Sequence, residues 1–343
     1  MSKQTQKNCR LGTVGGQAVL EGIMMKGKED YAIAVRREDG TVSLSKNRFT
    51  SVRSKHKILR LPILRGIVGF VESMVLNFKT LSISAEQYGL EDAEPETKFE
   101  KWLTNTFGEK LMSVIMGISM VLGVALAVGL FFLLPSYITK GIEWLVGSSL
   151  GLFRNLIEGV IKIGIFVAYL LLVSLMKDIR RTFEYHGAEH KSIFCYESGE
   201  ELTVENVKKH RRFHPRCGTS FIFVILIISI LVNSLPFVTW DNMLLRMLTK
   251  ILILPLIVGI GFEFIIFSGK HDNALTRFLS APGLFMQRIT TREPDDSQIE
   301  VAIIALKTAL PDVFPDYHYA DPHDEAMTEE SLAVEADTDD VQA

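Results

Sequence analysis

Residues 111–134 read LMSVIMGISMVLGVALAVGLFFLL, and none of these 24 residues carries a charge. A helix of that length is about 36 Å long at 1.5 Å per residue, which exceeds the roughly 30 Å hydrocarbon core of a bilayer. Further apolar stretches occupy 156–176, 219–239 and 251–269. The sequence therefore predicts a mainly α, polytopic helical membrane protein with four transmembrane helices, forming a membrane domain over 102–269.

The rest of the composition agrees with this class. Of the 343 residues 48% are hydrophobic, and the net charge of −3 hides a basic middle and an acidic tail. Cys9, Cys195 and Cys217 are widely spaced, which argues against a disulfide framework. The first 50 residues contain no apolar run typical of a signal peptide, so we expect the first span to target the chain.

Lys and Arg are distributed unevenly around the spans. The loop 177–218 carries nine of them, whereas the loop after the first span has only Lys140 and Arg154. Residues 46–65 are basic as well. Because positively charged loops stay in the cytoplasm, we expect a multi-pass protein of the cytoplasmic membrane with both termini and the loop 177–218 inside.

The segments outside the spans have their own patterns. Residues 1–57 predict a cytoplasmic unit with a β-hairpin, because strand-like runs flank Asp39-Gly40. Residues 58–101 predict an amphipathic helix at the membrane interface, too charged to span, and a linker. Residues 270–317 predict an ordered cytoplasmic segment with a turn at Pro282-Gly283. The tail 318–343, with nine acidic residues after 318 and no Lys or Arg, predicts disorder.

The loop 177–218 holds four of the eight histidines. His186 and His190 share one face of a helix, a spacing at which two imidazoles can hold one metal ion. With Glu189 they form H-x-x-E-H, a pattern in which the Glu is the general base of a metalloenzyme. His214 and Cys217 could complete the ligand set, and imidazole with thiolate favours zinc. An ordinary basic surface is the alternative, since short patterns also occur by chance.

Two considerations leave the nature of this site open. If the second span continued as one helix, His186 would lie about 15 Å beyond Met176, so Cys217 would reach it only if the loop folds back or the third helix extends outward. Four ligands would close the site and make it structural, whereas three ligands with Glu189 as base would make it hydrolytic.

Charged residues inside the spans are secondary candidates. Glu263 lies in the fourth span, where a carboxylate is costly and often functional. The structural alternative is a polar partner such as Asn233 of the third span. His271 follows the fourth span and could join the metal site or cap the helix end. Glu158 and Lys162, four apart, can neutralise each other or reach the interface.

Four motifs together carry a resemblance. They are residues 15–25 (GGQAVLEGIMM), 185–191 (YHGAEHK), 214–220 (HPRCGTS), and 282–284 with 290–294 (PGL and TTREP). In this order they are similar to the YqhQ-like family of bacterial membrane proteins, over roughly residues 10–312. The resemblance implies the membrane architecture and a cytoplasmic metal site, because members are often labelled metal-dependent enzymes, and it supplies no substrate. His210 lies outside these motifs.

Three hypotheses follow. The first is a zinc-dependent hydrolase acting on a membrane peptide or a lipid headgroup at the inner leaflet. The second is a non-enzymatic scaffold or accessory factor in which the metal joins the inner ends of spans two and three. The third is a transporter, and the only residue that supports this hypothesis is Glu263. The expected partners are membrane lipids and other membrane proteins, not nucleic acid.

Overall fold

The computed structural model describes residues 10–89, 111–235, 242–270 and 274–321. Within them the chain is mainly helical, with a small N-terminal antiparallel sheet. The strands are β1 (Gly15–Val19), β2 (Gly22–Lys26), β3 (Asp30–Arg36) and β4 (Val42–Arg48). The helices are α1 (Leu64–Tyr88), α2 (Leu111–Val128), α3 (Leu134–Val146), α4 (Arg154–Val173), α5 (Lys177–Ser198), α6 (Val204–Lys208), α7 (Gly218–Asn233), α8 (Met243–Lys270), α9 (Ala274–Thr290) and α10 (Asp296–Ala309).

The sheet is a meander in the order β1-β2-β3-β4. It confirms the predicted hairpin, since Arg36 pairs with Val42 across a turn in which Gly40 has a φ of +88°. Only glycine adopts that conformation readily, which explains the Asp39-Gly40 pair. A second hairpin precedes it, because Val19 pairs with Gly22 around a tight turn.

The two faces of the sheet are covered by different helices. Ile23, Met25 and Ala34 belong to one core with residues of α5 and α10. Met24 and Ile33, which alternate with them, belong to a second core that includes Leu76 of α1. Alternating residues of a strand point to opposite faces, so the sheet is sandwiched between α5 and α10 on one side and α1 on the other.

Helix α1 also contacts the long apolar helix α8. A Cβ atom at Gly66 would lie 2.8 Å from Cβ of Phe262, and one at Gly259 would lie 2.5 Å from the Ile63 side chain. Small residues at these positions let the two helices approach closely. The first half of α1 thus packs on α8, and the second half packs on the sheet.

Four helices are long and apolar enough to cross a membrane: Leu64–Tyr88, Gly117–Val146, Arg154–Val173 and Leu244–Phe264. The number four agrees with the sequence, but the set differs. The predicted span 219–239 contains a helix of 16 residues, Gly218–Asn233, about 24 Å long at 1.5 Å per residue. The segment predicted to be interfacial contains one of the four long helices instead.

The structure differs from the sequence at two predicted helix ends and at one predicted turn. The first span does not end at 134, since a π-helical turn at Gly129–Leu133 carries the helix on to Val146. The second span does not run on to 176, because Met176 has an extended backbone (ψ 136°) and α5 starts anew at Lys177. Pro282-Gly283 is not a turn but lies inside α9, where Gly283 allows contact with Ser220 of α7.

Some predictions fall outside the described residues. These are the linker 90–101, Cys9, His271 and the tail beyond residue 321. The first residues of the predicted tail are described, and Asp321 accepts a hydrogen bond from Arg37 at 2.9 Å.

Candidate metal centre

His186 and His190 lie on helix α5 at a point where a neighbouring segment of the chain crosses the helix very closely. A Cβ atom at Gly187 would lie 2.0 Å from the Arg292 carbonyl oxygen, so no larger residue fits there. The Arg292 amide donates to the Phe183 carbonyl at 2.8 Å. The glycine of the H-G-A-E-H run therefore lets residues 290–292 lie directly against the helix beside the histidines.

Cys217 reaches the same place from the start of α7. It is the N-cap residue, and its Sγ accepts the Thr219 amide at 3.5 Å. The segment before it is held by Gln287 of α9, which is fully buried. Gln287 donates to the His214 carbonyl at 2.8 Å and accepts from the His214 amide at 2.7 Å. These two hydrogen bonds hold the loop folded back toward α5, so Cys217 lies close to His186 although the two are 31 residues apart in the sequence.

The donor atoms of His186, His190 and Cys217 all lie within 4.8 Å of one another. His186 Nε2 is 3.1 Å from Cys217 Sγ, and the two imidazole ring centres are 4.4 Å apart. Three side chains from two helices thus aim their donor atoms at one small volume.

Both imidazoles are oriented by main-chain carbonyl groups. His186 Nδ1 lies 2.8 Å from the Thr290 carbonyl oxygen, and His190 Nδ1 contacts that of Arg212. A carbonyl only accepts, so each Nδ1 carries the proton and each Nε2 keeps its lone pair. His190 Nε2 is buried and has no hydrogen-bond partner within the described residues. Fixing Nδ1–H in this way is how proteins orient metal-ligating histidines.

The protonation states of the two ligand side chains His190 and Cys217 favour binding of a cation. Burial and the nearby His186 lower the pKa of His190, which favours the neutral imidazole. Burial raises the pKa of the Cys217 thiol, but a protonated His190 beside the sulfur and the Thr219 hydroxyl and amide lower this pKa below its usual value, so a positive charge at this point favours the thiolate. A neutral imidazole and a thiolate are the forms that bind metals, and this donor set fits zinc.

Glu189 is buried beside this group, under the start of β1. A Cβ atom at Gly16 would lie 2.7 Å from Glu189 Cγ, so the glycine makes room for the side chain. Burial raises the pKa of Glu189 to about 8, against the opposing effect of His186 and with a further contribution from Cys217. A carboxyl group that titrates near neutral pH is suited to general acid–base work.

His214 is not part of the group of converging ligand atoms, although its ring centre lies 5.5 Å from that of His190. Its Nδ1 accepts the Arg216 amide at 3.3 Å, and its Nε2 faces Glu197 at 3.7 Å. Glu197 also accepts from the Gly12 amide at 2.9 Å and from Arg216. Sequence reasoning missed Glu197, although it lies on α5 seven residues after His190, two helical turns further on the same face.

A second group of possible donors, Cys195, Glu200 and His210, lies at the other end of α5. Burial raises the pKa of the Cys195 thiol to about 11, so it stays protonated at neutral pH. His210 Nε2 is 3.3 Å from a Glu200 carboxylate oxygen. The Glu200–His210 contact closes the loop between them, and the protonated Cys195 thiol makes this group a weaker metal candidate than the first.

The charged residues of the apolar helices find partners other than those expected. Glu263 pairs with Arg65 of α1, not with Asn233. Asn233 instead accepts through its carbonyl from Asn155 at 2.6 Å. Glu158 pairs with Lys250 of α8 rather than with Lys162. The long-range partners could not be read from spacing along one helix.

The comparisons with known proteins agree with the resemblance. A family described as "Protein of unknown function (DUF1385)" matches residues 61–312. The chain belongs to this family. It is 36% identical over 308 residues to the "Uncharacterized protein YqhQ" of Bacillus subtilis (strain 168), covering 86% of this chain and 92% of that protein. No solved structure matches.

Proposed function

We propose that the chain is a zinc-dependent hydrolase of the cytoplasmic membrane, with its site at the inner face. The observation that carries the proposal is the convergence of His186 Nε2, His190 Nε2 and Cys217 Sγ, with both Nδ1 atoms tied to carbonyl groups. Since His214 is engaged with Glu197 and Arg216, the set has three donors. Three protein ligands and one open position are typical of catalytic zinc sites.

The expected placement in the membrane follows from the three long apolar helices other than α1, which are Gly117–Val146, Arg154–Val173 and Leu244–Phe264, and from the basic loop 177–218. Helix α1 is best placed along the membrane surface, because its second half packs on the sheet through Leu76. A spanning α1 would carry that sheet into the lipid. Its opposite face, with Val71, Val75 and Phe78 more than half exposed, is free to enter the interface.

The residues around the donors can perform the remaining chemistry. A bound zinc ion supplies a Lewis acid that polarises a carbonyl or phosphoryl oxygen of the substrate. Glu189 takes a proton from the attacking water and returns it to the leaving group, a role its raised pKa supports. Thr290 and Arg212 hold the imidazoles in one tautomer throughout. A membrane peptide or lipid headgroup at the inner leaflet is the proposed substrate.

The second candidate is a scaffold or accessory factor in which the metal is structural and joins α5 to α7. The observation in its favour is that the ligands lie at the ends of two spans. His186 and His190 are on α5, which follows the second predicted span, and Cys217 stands at the start of α7, which corresponds to the third. In this case Glu189 would be a buried neutral packing residue.

The test is zinc content and hydrolysis measured on the full chain in detergent. We expect about one zinc per chain, lost in His190→Gln and Cys217→Ser. Glu189→Gln is the matched control, because it should keep zinc but abolish cleavage of fluorogenic ester, phosphodiester and peptide substrates. Absence of zinc in the wild type sinks both candidates. Zinc without hydrolysis, together with loss of folding on chelation, favours the scaffold.

A further inference from the structure

Residues 40–71 contain seven Lys and Arg and no Asp or Glu. Four of these cations have carboxylate partners in the fold: Lys46 and Arg48 lie near Asp30, Arg53 pairs with Glu72, and Arg65 pairs with Glu263. The other three are Lys55, Lys57 and Arg60. They are exposed, and no carboxylate of the described residues pairs with them. Among the described residues, three positive charges on one short segment therefore lack a carboxylate partner.

This segment, residues 52–61, is folded rather than loose. It forms two 3-10 turns, Val52–Ser54 and Lys57–Arg60. Glu72 of α1 accepts from the Val52 amide at 2.7 Å. The Arg60 guanidinium donates to the carbonyl groups of Arg53 and Ser54 at 2.8 and 2.7 Å, which closes the two turns onto each other. We call residues 52–61 the basic turn segment.

Apolar side chains alternate with the cations on the basic turn segment. Val52, Ile58 and Leu61 are exposed by 47%, 69% and 53%. The segment leads directly into α1, whose free face is apolar as well. Exposed cations next to exposed large apolar side chains match a surface with negative headgroups above a hydrocarbon layer.

We propose that the basic turn segment binds the phosphate headgroups of anionic phospholipids and seats the start of α1 in the inner leaflet. Lys55 and Lys57 contact the headgroups, and Ile58 enters the acyl boundary between them. Arg60 is a positioning residue, because its guanidinium is used to hold the turns together. The proposal rests on the membrane placement given above and adds the lipid class and the residues that recognise it.

The experiment uses the full chain with Ile58→Trp and with the native tryptophans replaced by phenylalanine, reconstituted in vesicles. Half of the samples contain a brominated anionic phospholipid, and half a brominated zwitterionic one. Bromine quenches tryptophan only at close range. We expect the anionic lipid to quench Trp fluorescence roughly twofold more strongly at low salt, with the difference shrinking at high salt.

Two charge-reversed variants provide the comparison. Lys55→Glu with Lys57→Glu should abolish the preference for the anionic lipid. Lys208→Glu with Lys209→Glu makes the same change in charge at the end of α6, a helix that packs on α5 and α10, and should preserve the preference. Equal quenching by both lipids in the Ile58→Trp chain, or a preference that survives Lys55→Glu with Lys57→Glu, overturns lipid recognition while leaving the membrane placement intact. No quenching by either lipid overturns the placement as well and points to a protein partner.

Discussion

The Glu158–Lys250 region and the His186–His190–Cys217 group both bury polar atoms, but the partners of these atoms differ. Glu158 Oε1 accepts from Lys250 Nζ and from Ser136 at 2.9 Å, and Arg154 pairs with Glu143 nearby. The remaining acceptors border a cavity of about 10 Å³, room for one water. In the second region the atoms that meet are two imidazole lone pairs and a sulfur.

The difference separates structural polarity from a ligand site. In the first region the Glu158–Lys250 ion pair joins α4 to α8, and the buried cations Lys162 and Arg246 lie close to the same carboxylate. In the second region His186 Nε2 has only the Cys217 sulfur as a neighbour, and His190 Nε2 has no hydrogen-bond partner among the described residues, so these buried lone pairs favour the entry of a cation. Burial alone, which the two regions share, does not identify a site.

The largest expected effect comes from removing the buried Glu158–Lys250 ion pair. Lys250→Ala removes the ammonium group that contacts the buried Glu158 carboxylate and leaves only the more distant Lys162 and Arg246 nearby among the described residues, so we expect a loss of about 3–5 kcal/mol in the free energy of unfolding. Lys208→Ala, which removes a surface pair with Asp296, should cost less than about 1 kcal/mol. Unfolding in mixed detergent micelles measures both. Equal losses would mean that Glu158 is not neutralised mainly by Lys250.

Gly187→Ala tests the backbone that orients the ligands. Its methyl group would meet the Arg292 carbonyl oxygen at 2.0 Å, so we expect about 3 kcal/mol of destabilisation. Zinc affinity should fall too, because the Thr290 carbonyl that holds His186 would shift. Gly164→Ala on α4 is the control, since nothing lies within 4 Å of that position. Thermal melts with zinc titrations decide, and a stable Gly187→Ala protein with full affinity would contradict the geometry.

Gly16→Ala should have a smaller effect, because it meets a flexible side chain rather than backbone. The added carbon would lie 2.7 Å from Glu189 Cγ, and we expect a cost of about 1–2 kcal/mol. The cost should disappear in a Glu189→Ala background. Gly15→Ala, next in sequence and without neighbours within 4 Å, should be neutral. A double-mutant cycle of unfolding free energies measures the coupling, and zero coupling would separate Gly16 from Glu189.

The smallest effect is expected at His214. Since its nitrogens face Arg216 and Glu197, His214→Gln should leave the zinc content unchanged. His190→Gln is its matched counterpart and should lose the metal. Metal analysis of the two purified variants compares them directly. If both lost zinc to the same extent, the site would have four ligands and the structural interpretation would gain.

The sequence predicted the elements that depend on local pattern. The hairpin around Asp39-Gly40 and the long apolar helices follow from periodicity and turn chemistry, which act over a few residues. The pairing of His186 with His190 followed in the same way from their spacing on one helix. Cys217 was also predicted to be a metal ligand, although the sequence does not give its distance from the histidines.

The rest depends on contacts between distant segments. Pro282 lies within a helix because α9 packs on α7 at Gly283, which no local signal announces. Gln287 folds the His214–Cys217 loop back from a position some 70 residues later. His214 is close to Cys217 in the sequence and was grouped with it, but its two nitrogens face Arg216 and Glu197. The roles of Gly16 and Gly187 also appear only when their neighbours are known.

The central claim is that His186, His190 and Cys217 hold one zinc ion with a fourth position open. X-ray absorption at the zinc edge of the purified full chain tests it most directly. The account predicts a first shell of two nitrogens at about 2.0–2.1 Å, one sulfur at about 2.3 Å and one further light atom. Cys217→Ser should remove the sulfur signal. A protein without zinc, or a zinc shell that lacks sulfur in the wild type, would contradict the account.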